Sequence, residues 1–136
     1  MGTWNSNSWS SRENENSNFR STLVQNLDLD ILCLNETFLV DNQCLKVANY
    51  KWFGHNRKSI HRRARRGAGG VGVLVNNRVF DYFDVSVLDD TKEDIFWLKV
   101  SSKQDDFVMC LCTCYLPPKS SSHKVDGDSF FNSLLD

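Results

Sequence analysis

Glu36 closes the run Asp30-Ile31-Leu32-Cys33-Leu34-Asn35-Glu36. An apolar stretch this short, bounded by polar residues, predicts a buried strand, and a carboxylate at its far end then stands at the rim of a sheet. A rim carboxylate can hold a hard divalent cation, or a phosphate through one. The plainer alternative is a solvated glutamate after a core strand. Two other side chains could share such a rim. Asn5, within Trp4-Asn5-Ser6-Asn7-Ser8-Trp9, offers a donor and an acceptor without adding charge; it is equally at home as a turn or N-cap residue. Tyr115 precedes Leu116-Pro117-Pro118 and ends another apolar run. Its alternative is a core aromatic whose hydroxyl reaches the edge.

A different chemistry is concentrated between residues 57 and 66. Arg57, Lys58, Arg62, Arg63, Arg65 and Arg66 are six of the 16 Lys and Arg in a chain whose net charge is -1. The remainder is therefore distinctly acidic. Such a concentration predicts an exposed loop that contacts phosphates, as nucleic acid would supply. A solvated basic loop or a nuclear-localisation-like run has the same composition. His55, His61 and His123 read as loop residues.

The elements that must place these groups can be read from periodicity. Gly2 to Asn5 reads as the end of a first strand. Phe19, Leu23 and Leu27, with Val24 alongside, predict one apolar face of a helix of roughly ten to fifteen residues. Ile31 to Asn35, Tyr50 to His55, Val71 to Val75, Asp81 to Leu88, Asp94 to Val100 and Phe107 to Tyr115 predict strands. The small residues of Gly69-Gly70-Val71-Gly72-Val73 allow close backbone approach, and they match neither a Walker loop nor GxGxxG. Phe130, Phe131, Leu134 and Leu135 predict a final amphipathic helix, interrupted mid-pattern at Asp136 without a cap.

Composition bounds the function class. A length of 136 residues, 40% hydrophobic and 24% charged, describes at most one globular domain. No apolar run approaches the ~20 residues of a bilayer span, and no secretory leader pattern is present. An intracellular protein, nuclear or cytoplasmic and not secreted, is expected, with no membrane partner. Met1-Gly2-Thr3-Trp4-Asn5-Ser6 spells a loose myristoylation pattern but lacks the usual second anchoring signal. Cys110, Cys112 and Cys114 alternate along one strand and so share a face. They predict buried reduced thiols, since no paired CxxC or His spacing supports zinc.

Five segments in order carry a family likeness: Trp4 to Trp9, Asp30 to Leu39, Tyr50 to Arg57, Gly69 to Val75, and Tyr115 to Pro118. Together they resemble the N-terminal half of the endonuclease/exonuclease/phosphatase superfamily. The resemblance is nearest to the apurinic-endonuclease-like domain of non-LTR (LINE-type) retrotransposon reverse-transcriptase proteins. It implies an α/β fold: one half of a two-sheet α/β sandwich with outer helices, incomplete, with residues 1–136 forming the first part of a single domain. On that basis the chain is expected to supply roughly one sheet and leave its partner face open, exposing an apolar patch above the ~300–600 Å² usual for a monomer.

The resemblance further implies that Glu36 is the ligand of Mg²⁺ (or Mn²⁺), that Asn5 bonds the metal-bound phosphate or water, and that Tyr115 contacts the scissile phosphate. The implied reaction is Mg²⁺-dependent phosphodiester hydrolysis, as nicking of DNA by a retroelement endonuclease. Implied partners are DNA and, in a full-length protein, the C-terminal half and a reverse-transcriptase domain. The family's water-activating Asp and His belong to that later half, so the chain alone is expected to be inactive. Pro118 stands where the family has Asn. The alternatives are a phosphodiesterase or phosphatase acting on a small phosphate ester, and a non-catalytic nucleic-acid-binding remnant.

Overall fold

A computed structural model of the chain describes residues 1–9, 16–57, 69–121 and 125–135. In chain order it holds β1 (Gly2–Asn5), α1 (Asn16–Leu27), β2 (Ile31–Asn35), β3 (Tyr50–His55) and β4 (Val71–Asn76), then a 3-10 turn (Asn77–Asp81). β5 (Phe83–Asp89), β6 (Ile95–Ser102), β7 (Val108–Cys114) and α2 (Gly127–Leu135) follow. Four strands make one sheet in the order β1-β2-β4-β3, and three make a second in the order β5-β6-β7. β1 and β2 run parallel with Asn5 opposite Asn35, and α1 is the crossover such a pairing needs. Every other named pairing is antiparallel.

The two sheets pack face to face. Ile31 and Cys33 of β2 and Val71, Val73 and Val75 of β4 meet Phe96, Leu98 and Val100 of β6 in one buried cluster. The alternate residues Leu32, Leu34 and Leu74 pack on the other side with Val24 of α1, Trp9, Leu39, Leu45 and Val47. β2 and β4 are therefore covered on both faces, which is why they read as continuous apolar runs rather than alternating ones. Where roughly one sheet with an open face was expected, the chain thus supplies strands to two facing sheets.

Four further expectations shift. α1 is seated through Val24, while Phe19 and Leu27 are 68% and 49% exposed. The helix is thus rotated away from the Phe19–Leu23–Leu27 stripe, and packing rather than local hydrophobicity sets its face. In α2 only Phe130 is buried; Phe131 and Leu135 face solvent. The Asp81–Leu88 strand begins later, at Phe83, because Asn76 caps a 3-10 turn by accepting the Arg78 amide at 3.2 Å. The three cysteines do share a face, opposite Ile95, Trp97 and Lys99 of β6, but it is the outer one. Cys110 is exposed and Cys112 and Cys114 are half-buried, all free thiols.

Gly54 and Gly72 face each other across β3 and β4. The Trp52 indole lies against both, in the space any side chain there would fill. These glycines are thus required by a close aromatic approach.

Candidate active site

The strand directions collect chemistry at one rim. The C-terminal ends of β1, β2, β3 and β7 and the N-terminal ends of β4 and β6 all lie there, because Asn35 and His55 pair with Val71, and Ile95 pairs with Cys114. The residues just past those ends are Glu36, Arg57, Gly69, Gly70, Asp94 and Tyr115.

Glu36 leaves β2 with φ +53°, and Phe38 follows with φ +56°. Left-handed backbone at a non-glycine residue costs about 1–3 kcal/mol and persists only where neighbours over-determine it. Here they do. The Ser6 hydroxyl donates to the Asn35 and Glu36 carbonyls, each at 3.1 Å. The amides of Ser8 and Trp9 donate to the carbonyls of Glu36 and Thr37, each at 2.8 Å. On the other side the Thr37 and Phe38 amides donate to the carbonyls of Gly70 and Gly69, at 3.2 and 2.9 Å. The segment carrying Glu36 is thus zipped between the continuation of β1 and the start of β4.

Tyr115 lies just past β7 of the second sheet, and its phenol stands next to the Glu36 carboxylate. Burial, and then the neighbouring Glu36 carboxylate, push the phenol up to about 12, so it remains a proton donor throughout the neutral range. Asn5 lies beside this pair at the end of β1, its Oδ1 accepting the Asn7 amide at 3.1 Å. Asn35 accepts the Thr113 hydroxyl of β7 at 3.1 Å, fastening the two sheets under the rim. The structure thus brings Asn5, Glu36 and Tyr115 together.

Arg57 is different. It is 5% exposed and ion-paired with Asp94, which is also 5% exposed. The Arg57 Nε donates to Asp94 Oδ1 at 3.2 Å, and a second bond joins Nη2 to Oδ2. Its inclusion in an exposed phosphate-binding loop is therefore corrected. A buried carboxylate claims the guanidinium, since an unpaired charge there would carry a heavy desolvation cost. Lys58, Arg62, Arg63, Arg65 and Arg66 lie outside the described residues, as do His61 and His123. His55 is the last residue of β3 rather than a loop residue.

Sequence reasoning missed Ser6, Asn35, Arg57 and Asp94 as parts of this rim. The far end of the sandwich holds an apolar cavity of about 310 Å³ between Ile31, Val79, Val100 and Met109. Its polar edge, Asp30 with Arg78, is already joined at 2.7 Å. Among the described residues no three His, Cys, Asp or Glu side chains form a metal cage.

The chain belongs to the Endonuclease/Exonuclease/phosphatase family, whose profile matches residues 2–128. Among solved structures it is similar to the AP endonuclease LMAP from Leishmania major, with a TM-score of 0.70 and 17% sequence identity. That likeness covers 88% of this chain and 40% of that one, so the chain spans well under half of that relative's length. No match was found among curated proteins.

Proposed function

We propose that this rim is the metal-binding part of a phosphodiesterase that nicks DNA, an endonuclease of the kind carried by LINE-type retrotransposons. The observation that carries the reading is the meeting of Glu36, held in a left-handed conformation by bonds on both flanks, with the Tyr115 phenol from the other sheet. A solvated glutamate following a core strand has no need of such a frame.

The donor set fits a hard cation. Glu36 is a partly exposed carboxylate with the Asn5 amide beside it, and all the oxygens are of the hard type. The other nearby carboxylate, Asp94, has both oxygens committed to Arg57. One carboxylate suits Mg²⁺ (or Mn²⁺), which keeps much of its water shell and takes further oxygens from a substrate phosphate. When bound, such an ion would supply the positive charge that polarises a phosphoryl oxygen and steadies the leaving oxygen.

The chain's own groups do the positioning. Glu36 would orient the cation, Asn5 would donate to a phosphate oxygen, and Tyr115, protonated at neutral pH, would donate either to Glu36 or to the phosphate. In-line hydrolysis also needs a base for the attacking water, and in this reading the later part of the family domain supplies it. The basic residues from Lys58 to Arg66 would hold the DNA backbone without reading sequence. The wider protein would pair this domain with a reverse transcriptase and act inside the cell, in the nucleus or cytoplasm.

The test is relaxation of supercoiled plasmid by the complete family domain that contains these residues, with Mg²⁺. Glu36→Ala should lose nicking by at least about 10²-fold while its circular dichroism is kept, and Tyr115→Phe should lose about tenfold or more. The chain of residues 1–136 alone should not nick. Undiminished nicking by Glu36→Ala would refute the assignment.

A further inference from the structure

Asp94 is buried, charged and left-handed, with φ +61° at a non-glycine residue. It lies just before β6, in neither of the segments that carry Glu36 and Tyr115, and yet it is bonded towards both. Its main-chain carbonyl accepts the Tyr115 amide at 2.9 Å. Its carboxylate takes Arg57 through two bonds and the Gly70 amide through a longer one of 3.4 Å. Gly69 and Gly70, with φ +63° and +82°, in turn present the two carbonyls that receive Phe38 and Thr37. A side chain on Gly69 would collide with the Arg57 guanidinium and the Asp94 carboxylate, and one on Gly70 with the Thr37 hydroxyl.

From this connectivity we infer that Asp94, held by Arg57, is a positioning residue that sets Glu36 and Tyr115 against each other across the two sheets. Through its carbonyl it fixes where the chain emerges from β7. Through its carboxylate it fixes the Gly69–Gly70 turn, and that turn fixes the flank of Glu36. A carboxylate is needed because three donors from two segments converge on two oxygens. Arginine is needed because its planar fork reaches both oxygens, which an ammonium cannot do. An aspartate also tolerates the left-handed backbone better than a bulkier residue. Arg57 and Asp94 are not themselves catalytic: neither is solvent-accessible to a substrate. The metal-orienting consequence rests on the function proposed above, whereas the positioning itself does not.

The experiment uses the chain of residues 1–136 and the double variant Arg57→Met/Asp94→Asn. It removes both charges together, so no unpaired ion is left buried, and it keeps a residue suited to the left-handed backbone. Arg57→Lys serves as the conservative second variant. Two readouts are taken: amide hydrogen exchange residue by residue, and Mn²⁺ affinity by water-proton relaxation. In the double variant the Thr37, Phe38 and Tyr115 amides should exchange at least about tenfold faster while those of Leu32, Val73 and Leu98 keep their protection. Mn²⁺ affinity should fall by a similar factor, and Arg57→Lys should lie between. Unchanged exchange at those three amides, or acceleration spread evenly over the sheets, overturns the inference. If Glu36→Ala binds Mn²⁺ as well as the wild type, the metal reading fails, and the exchange pattern alone still decides the role of Asp94.

Discussion

Tyr115, beside Glu36, titrates with a definite sign. The phenol is raised in the folded protein above its unfolded value near 10. A group raised in this way contributes stability that is fully present below the unfolded pKa and is lost as pH rises through the folded one. With the phenol at about 12, the Tyr115 contribution should vanish across roughly pH 10 to 12. Urea unfolding of the metal-free protein at about pH 9 and about pH 11 should therefore show a steeper loss in the wild type than in Tyr115→Phe. Parallel losses would mean that the phenol is not raised in the folded protein. A second pair sits on the outer face of β7, where the neighbouring Cys112 thiol lowers the Cys114 thiol from its ordinary value. Iodoacetamide should accordingly label Cys114 ahead of exposed Cys110 at neutral pH, and Cys112→Ser should slow that labelling. Faster labelling of Cys110 would contradict that lowering.

Among the elements, the rim depends on strands ending together. β2 and β4 are the fixed frame, buried on both faces, and the loops that leave them carry the polar work. The strands were legible because they are rich in β-branched and aromatic residues and bounded by Gly, Asn and Asp, and Glu36 was legible because it ends the most apolar of them. What was not legible depends on distant partners. Nothing local to Arg57 separates it from Lys58 or Arg62; only Asp94, 37 positions away, removes it from the basic run. The face of α1 and the outward cysteines were misread for the same reason, since periodicity gives a face but not which face has a neighbour. The remaining basic residues carry their own expectation. Replacing Arg62, Arg63, Arg65 and Arg66 with Gln in the complete family domain should weaken duplex binding similarly for all sequences. It should also flatten the salt slope by up to about 0.9 for each phosphate contact removed. A loss confined to one target sequence would show base readout instead.

At the level of the whole molecule, the described residues contain two sheets with a shared core, one rim furnished with polar chemistry and an apolar cavity at the other. No helix among them is long and apolar enough to cross a membrane. The family assignment covers nearly the entire chain, while the similar AP endonuclease extends far beyond it. The proposed function is a statement about place: a divalent cation would bind at this rim, on Glu36. The most direct measurement is paramagnetic broadening of the amide spectrum of residues 1–136 on titration with Mn²⁺. The account predicts broadening that begins at Asn5, Glu36, Thr37 and Tyr115, leaves Asp28, Asp30 and Met109 at the far end sharp, and disappears in Glu36→Ala. Broadening centred on the Asp28–Asp30 end, or unchanged in Glu36→Ala, would contradict it.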